Sequence, residues 1–235
     1  MELKQLVESY RYLKIFVGVY GAYKEEHAEF ASDDWMIKMD RKYNAAKAFL
    51  SYIEKAITVL PINTRSNYNN QYKMLYRKVY MEEVKIKDIA EQLNTSRRNA
   101  YSIKAHALEM IEERVALLFN TTYQITPLPV PKNLSVTEGF RRCGNAEIDS
   151  YYEAIIKAIH SQLGVIEGNF ANAFLLSSNS RQIAKYIRIS YPSMTRSAYI
   201  AYYRKVSDYI GVCLYGFDYL SSQKGYVITE KECRF

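Results

Sequence analysis

The residues best suited to chemistry in this 235-residue chain are basic and polar side chains concentrated between positions 97 and 106. A guanidinium group can donate two parallel hydrogen bonds, which is the geometry that reads a guanine edge in the major groove of DNA. Asparagine and serine side chains bond base edges or phosphate oxygens. No acidic residue lies between Glu91 and Glu109, so none opposes a phosphate there. We therefore predict DNA contacts from Arg97, Arg98, Asn99, Tyr101, Ser102, Lys104 and His106.

A helix–turn–helix at 82–113 is predicted to hold these residues. The small side chain of Ala90 lets a second helix cross the first closely. Asn94 tolerates the left-handed conformation that ends a helix, and Ser96 is a suitable N-cap for the next one. Two apolar stripes are predicted to be buried: Ile86, Ile89, Ala90 and Leu93 in the first helix, and Ala100, Ile103, Ala107, Leu108 and Ile111 in the second.

The combination of these features, and no single residue, favours binding of duplex DNA. Two exposed arginines taken alone are most often solvated charges, and a lone histidine such as His106 is most often a surface or core-edge residue. A helix, a three-residue turn, an N-cap, a small crossing residue and an acid-free face together are typical of a helix–turn–helix that enters the major groove.

The segments Ile89-Ala-Glu-Gln-Leu, Ser96-Arg, Ile103-Lys-Ala and Ala107-Leu together resemble region 4 of sigma-70-type factors, which binds promoter DNA. The resemblance covers about 75–111. With Leu50-Ser-Tyr-Ile-Glu-Lys-Ala-Ile and Leu75-Tyr-Arg-Lys-Val-Tyr before it, the arrangement resembles the small phage transcriptional activators of the ArpU and RinA type.

This resemblance implies a transcriptional role on genes of a phage or a related mobile element. It implies base-reading positions at Arg97, Arg98 and Ser102, flanked by Asn99 and Tyr101. Sigma factors commonly carry an acidic residue where Arg98 stands, so we expect a different base preference. The regions that a complete sigma factor uses to open promoters are not visible, so a complete sigma factor is not expected.

The chain as a whole is predicted to be all-α, with two helical domains that each contain a helix–turn–helix. Helical spacing of apolar residues starts at Leu3, in a helix that either dimerises or packs within its own domain. Further helices are expected from Ser32 or Asp33 to Pro61 and over 66–80. The predicted organisation is an N-terminal domain at 1–120, a proline-containing linker at 121–145, a C-terminal domain at 146–222 and a tail at 223–235, with a short strand at 226–229.

A second, diverged helix–turn–helix is predicted at 181–208, since Arg181-Gln-Ile-Ala matches Lys87-Asp-Ile-Ala and Arg196-Ser-Ala-Tyr matches Arg98-Asn-Ala-Tyr. The turn is expected to be four residues longer and contains Pro192. No acidic residue lies between Glu167 and Asp208. The alternative is a repeat that kept its fold and now contacts a protein or dimerises through its tyrosines. The predicted DNA contacts are Arg181, Lys185, Arg188, Thr195, Arg196, Ser197, Tyr199, Tyr203 and Arg204.

The two motifs could read two successive major-groove segments of one site. Half-sites of this class lie about 34–36 Å apart, a span that the predicted linker can cover.

Composition sets broader bounds on function. The 32 basic and 25 acidic residues give a net charge of +7, a modest excess whose position matters more than its sum. Cys143, Cys213 and Cys233 have no CxxC spacing, so neither a disulfide framework nor a metal or other cofactor is expected. We expect neither a signal peptide nor a membrane-spanning run, and we expect a protein of the bacterial cytoplasm, associated with the nucleoid. Most of the 23 tyrosines are expected to pack helices.

Double-stranded DNA is the predicted partner, with RNA polymerase and a second copy of the chain as further candidates. The leading interpretation is a transcriptional activator. A DNA-packaging protein of the small-terminase kind and a protein-interaction module built on a helix–turn–helix remain alternatives. No catalytic motif is convincing, so the protein is not expected to be an enzyme.

Overall fold

The computed structural model describes residues 7–27, 34–59, 68–82, 84–127, 134–177, 179–222 and 226–230. Helices account for nearly all of the described chain, which confirms the all-α prediction. The elements are α1 (Tyr10–Glu26), α2 (Asp34–Val59), α3 (Tyr68–Tyr76), a π-helical turn (Arg77–Met81), α4 (Ile86–Gln92), α5 (Arg97–Thr122), β1 (Tyr123–Pro127), α6 (Val136–Gly139), α7 (Ala146–Leu163), α8 (Val165–Leu176), α9 (Ser180–Ser190), α10 (Arg196–Tyr215), α11 (Phe217–Ser222) and β2 (Tyr226–Glu230).

Helix α7 begins at 146, the predicted start of the C-terminal domain, but α5 and α10 end at Thr122 and Tyr215, beyond the ends predicted for the two motifs at 113 and 208. The helix expected over 66–80 is present as α3, and its last turn widens into a π-helix. The predicted start at Leu3, the N-caps Ser32 and Asp33, and the stop at Pro61 lie outside the described residues.

One small antiparallel sheet interrupts the helical pattern. Strand β2 confirms the short strand predicted at 226–229, and it pairs with β1, so that Ile125 lies opposite Ile228. Within the predicted linker at 121–145, residues 136–139 form the short helix α6 and residues 123–127 form the paired strand β1. Its partner is about a hundred residues away in sequence, so local pattern did not predict the pairing.

The chain divides into two compact units that are interleaved along the sequence. Unit 1 comprises 1–11, 47–127 and 226–235, and unit 2 comprises 12–46 and 128–225. The sequence predicts consecutive segments instead, because proline content marks a linker but cannot show which distant segments share a core. The expected division into folding domains at 1–120 and 146–222 stays a prediction.

Unit 1 is built on the long helix α5, whose apolar stripe is buried from its first turn to its last. Helices α3 and α4 both pack against α5. Two tyrosine hydroxyls tie the start of the chain to this unit: Tyr76 donates to the Val7 carbonyl at 2.8 Å, and Tyr10 donates to Glu54 at 2.8 Å.

Unit 2 has a core that is rich in aromatic side chains. Trp35 lies edge-on to Tyr151 with ring centroids 5.4 Å apart, and the Tyr151 hydroxyl donates to the Cys213 carbonyl at 2.9 Å. Across the two units, the packing role expected for tyrosine is confirmed for nine buried residues: Tyr10, Tyr20, Tyr23, Tyr76, Tyr123, Tyr151, Tyr152, Tyr209 and Tyr219.

Within the described ranges, no helix combines the length and the apolar character needed to cross a membrane.

Burial of the Cys213 thiol gives a direct test of the unit 2 core. Burial raises the pKa of Cys213 to about 12, so its reactive thiolate form is scarce near pH 8. In a Cys143→Ser, Cys233→Ser variant, we expect a thiol reagent at pH 8 to modify Cys213 at least about a thousandfold more slowly in the native protein than in denaturant. Mass spectrometry of timed samples measures this ratio.

The wild-type chain serves as the control, because Cys143 is exposed and should react without denaturant. Native modification of Cys213 at the rate seen in denaturant would contradict the packing described.

Candidate nucleic-acid interface

Helices α4 and α5 form the predicted helix–turn–helix in unit 1. Leu93, Asn94, Thr95 and Ser96 separate the two helices. Asn94 has φ of 49°, which confirms the left-handed conformation predicted for the turn. A backbone hydrogen bond of 3.0 Å from the Thr95 amide to the Ala90 carbonyl closes the end of α4. The conformation of the turn is therefore explained by the residues of the turn itself.

Ser96 caps α5, as predicted. Its backbone is extended, with φ of −70° and ψ of 150°, and its hydroxyl accepts the Asn99 amide at 3.1 Å. The Asn99 side chain donates to the Thr95 hydroxyl at 2.7 Å. Asn99 is thus exposed and its side chain is bonded to the turn, while its base contact stays a prediction.

The apolar stripes predicted for this motif are confirmed at all five positions in its second helix and at two of the four positions in its first. Ile89 and Ala90 are buried, whereas Ile86 and Leu93 at the rim of α4 are half-buried. Leu75 of α3, Ile89 of α4 and Ile103 of α5 form one cluster. Packing therefore turns the opposite face of α5 toward solvent. All five predicted α5 positions are buried: Ala100, Ile103, Ala107, Leu108 and Ile111.

The exposed face at the start of α5 contains the predicted DNA contacts. Arg97, Arg98 and Ser102 are exposed, and Tyr101 leaves 54 % of its surface accessible. Within the part of unit 1 that the structure describes, neither arginine pairs with a carboxylate. Both guanidinium groups are therefore available to a ligand.

Two other predicted residues are partly engaged within the protein. The Lys104 ammonium lies 5.1 Å from the centroid of the Tyr80 ring, within the range of a cation–π interaction. Nδ1 of His106 lies 3.3 Å from a Glu109 carboxylate oxygen. The carboxylate makes His106 the least suited of the set to contact phosphate.

A shallow cavity of 390 Å³ beside the start of α5 adds two cations that the sequence analysis missed. Lys85 and Lys87 line it together with Arg97, Tyr101 and Lys104. Lys87 also lies 3.9 Å from Glu91 in an exposed pair, an arrangement that contributes little stability. The sequence could have predicted their place at the interface from their positions, which are just before α4 and within its first turn.

In unit 2, α9 and α10 occupy the place of the second predicted motif, with one difference from expectation. The segment between them is 191–195, only one residue longer than 93–96. The four additional residues lengthen α9 to 11 residues, against 7 in α4. The prediction of a turn four residues longer is therefore wrong, because four residues form about one helical turn and extend the helix without rotating its faces far.

The N-caps also correct the alignment of the two motifs by one residue. Thr195 caps α10 by accepting the Ala198 amide at 3.2 Å, so Thr195 corresponds to Ser96 and Arg196 corresponds to Arg97. The inward positions at the fourth, seventh and eleventh residues after the cap are then Tyr199, Tyr202 and Val206. The shared Arg-x-Ala-Tyr sequence matches Arg196 to Arg98 instead, because a comparison of residue types does not show where each helix begins.

The tyrosines predicted to contact DNA on α10 pack inward. Tyr199 lies 5.5 Å from Phe170 of α8, and Tyr203 lies 4.9 Å from Phe174, measured between ring centroids. Burial raises the pKa of both phenols. Both residues are half-buried, and their ring contacts with Phe170 and Phe174 hold α10 against α8. The remaining predicted residues of this motif are exposed: Arg181, Lys185, Arg188, Thr195, Arg196, Ser197 and Arg204.

The two motifs also differ in how their helices meet. Helix α4 packs directly on α5, whereas α9 and α10 each pack on α8. A cavity of 470 Å³, lined by Ile187 and Arg188 of α9 and by Arg196 and Ile200 of α10, opens between them. The second motif is therefore held together largely by a third helix.

The comparisons with known proteins and the search for metal ligands add no further site. Models of protein families, curated protein sequences and solved structures contain no match to this chain. Across the described residues, no group of three or more His, Cys, Asp or Glu side chains could hold a metal ion.

The Ser96 cap is the feature of this interface whose contribution to stability can be measured most directly. We expect Ser96→Ala to lower the free energy of unfolding by about 1 kcal/mol, because the Asn99 amide loses its acceptor. Urea denaturation followed by circular dichroism measures the change. Ser96→Asp keeps an acceptor and should stay close to wild type.

Ser102→Ala is the matched control, since this exposed serine lies within the same helix and should change stability by less than about 0.5 kcal/mol. Equal effects of Ser96→Ala and Ser102→Ala would show that the cap does not stabilise α5.

Proposed function

We propose that this protein is a sequence-specific double-stranded-DNA-binding transcriptional regulator of a phage or mobile genetic element, and that it acts as an activator. The exposed N-terminal face of α5 carries the proposal. It presents Arg97, Arg98 and Ser102 on a helix whose opposite face is anchored in the core. An α-helix with its side chains is about 10–12 Å wide, and the major groove is about 12 Å wide.

The distribution of charge along α5 supports entry of its N-terminal end. The helix has 26 residues, and every residue of it that is predicted to contact DNA lies in its first ten. Glu109, Glu112 and Glu113 follow, and carboxylates repel phosphate. The duplex therefore fits along about 15 Å of the helix at its N-terminal end. In helix–turn–helix proteins the same end of the recognition helix contacts bases.

The lysines that line the neighbouring cavity supply the flanking contacts. Lys85 and Lys87 lie just before and at the start of α4, beside Arg97 of α5. Contacts to phosphates orient a protein on the duplex, and contacts to base edges select the sequence. In the proposed complex these lysines orient α5, while Arg97 and Arg98 donate to guanine edges.

The assignment to transcription rests on the resemblance to sigma region 4 and to the phage activators. In that role the DNA-bound protein recruits RNA polymerase to a promoter. Transcription in vitro from a template that carries the selected site should rise when the protein is added, and a template with a scrambled site is the control.

Replacing the arginines of α5 tests the reading of bases. We expect Arg97→Ala or Arg98→Ala to weaken binding to the selected duplex by about 1–3 kcal/mol, because a bidentate contact to guanine is lost. Repeated selection from a random DNA pool should show relaxed preference at one base position for each variant. Fluorescence anisotropy at fixed salt measures the affinities.

Arg142→Ala is the matched control, since Arg142 is exposed and its guanidinium lies 2.9 Å from Glu153. It should select the wild-type sequence. If Arg97→Ala and Arg98→Ala also select the wild-type sequence, α5 is not the recognition helix.

A further inference from the structure

Helix α9 presents three cations on one face. Arg181, Lys185 and Arg188 are exposed, and their spacing of four and three residues places them within about 60° of one another around the helix, over about 10 Å of its length. Ile183 and Ile187 are buried on the opposite side. Core packing therefore orients the cationic face toward solvent.

The start of α9 is fixed by its cap. The Asn179 side-chain oxygen accepts the amides of Arg181 and Gln182 at 3.0 and 3.1 Å. A capped helix presents its charges in a defined arrangement before any ligand binds, so less conformational entropy is lost on binding.

No carboxylate neutralises this face among the described residues of unit 2. Glu167 is 7 % exposed and pairs with Lys205 at 3.1 Å. Asp208, at the other end of the acid-free stretch, accepts the Tyr219 hydroxyl at 3.1 Å. Arg181, Lys185 and Arg188 form no ion pair with any described residue. Since no described carboxylate pairs with them, solvent ions screen these charges, and a polyanion can displace such ions.

The first helices of the two motifs differ in charge. In unit 1 the first helix, α4, contains one cation, Lys87, and two acids, Asp88 and Glu91. The basic face of this motif lies on its second helix, α5. In unit 2 the first helix contains three cations and no acid. After the Thr195 cap, the exposed start of α10 offers Arg196 and Ser197, and then Ile200 stands where Tyr101 stands in α5. An isoleucine cannot hydrogen-bond a base edge.

We propose that α9 binds the DNA phosphate backbone through Arg181, Lys185 and Arg188, so that the second motif supplies affinity without sequence preference while α5 supplies specificity. This inference rests on the proposed function in requiring that the chain binds duplex DNA. It replaces the expectation that both motifs read bases in successive major-groove segments.

A salt titration of the full chain tests this role. The variant is Arg181→Gln, Lys185→Gln, Arg188→Gln, and the probes are a labelled duplex of random sequence and the selected duplex. Each lost phosphate contact should lower the slope of log K against log salt by about 0.9, so the slope should fall by up to about 3. We expect binding to the random duplex to weaken by tenfold or more, and the selected sequence to stay that of wild type.

The matched control is Arg141→Gln, Arg142→Gln, Lys157→Gln. It removes three exposed cations from the same unit and changes the net charge equally. Circular dichroism checks that both variants keep their helical content. The control should keep the wild-type salt slope.

Four outcomes separate this inference from the proposed function. An unchanged salt slope in the α9 variant, with altered selection by Arg97→Ala, overturns the inference and leaves the proposed function standing. Lost random-duplex binding in the α9 variant, in a protein that selects no sequence, supports phosphate binding by α9 and overturns both the proposed function and the role of α5 in specificity. A changed selected sequence in the α9 variant overturns it, because α9 then reads bases. Absence of any duplex binding overturns both.

Discussion

The packing of α4 across α5 is the interaction on which the interface depends. Ile89 of α4 and Ile103 of α5 are buried against Leu75 of α3, and the small Ala90 allows the close approach of the two helices. This contact fixes how α5 is rotated about its axis. Because side chains three and four residues apart share a helix face, burying Ala100 and Ile103 necessarily exposes Arg98 and Ser102. The placement of the arginines is therefore a consequence of apolar packing.

In this fold the residues that cap the helices are different from the residues that set the surface charge, so one can change without the other. Ser96, Thr195 and Asn179 each accept the amides of a first helical turn, and these caps define where three helices begin. The exposed residues that follow the caps differ between the motifs. The first helix of one motif carries Lys87 beside Asp88 and Glu91, whereas the first helix of the other carries three exposed cations and no acid. The same arrangement of helices can thus serve base reading and phosphate binding, since those functions depend on a few exposed side chains.

The aromatic residues of unit 2 explain why the second motif was harder to predict. Tyr199 and Tyr203 alternate with basic residues along the sequence, a pattern that is also typical of nucleic-acid binding. In the structure their rings pack against Phe170 and Phe174 of α8. Tyrosine suits a core edge as well as a ligand surface, so its presence does not distinguish the two environments. Only the identity of the neighbouring helix decides between them.

The sequence by itself determined the local features: the helical class, the bounds of α4, the start of α5, the left-handed Asn94, the Ser96 cap and the buried stripe of α5 as far as Ile111. Each of these depends on backbone preferences and on contacts within a few residues. Tertiary structure alone decided the pairing of β1 with β2, the interleaving of the two units, the inward position of the α10 tyrosines and the neighbourhood of Lys85 with Arg97. Those features depend on which distant segments meet, and residue periodicity reports only that a face is buried, not what buries it.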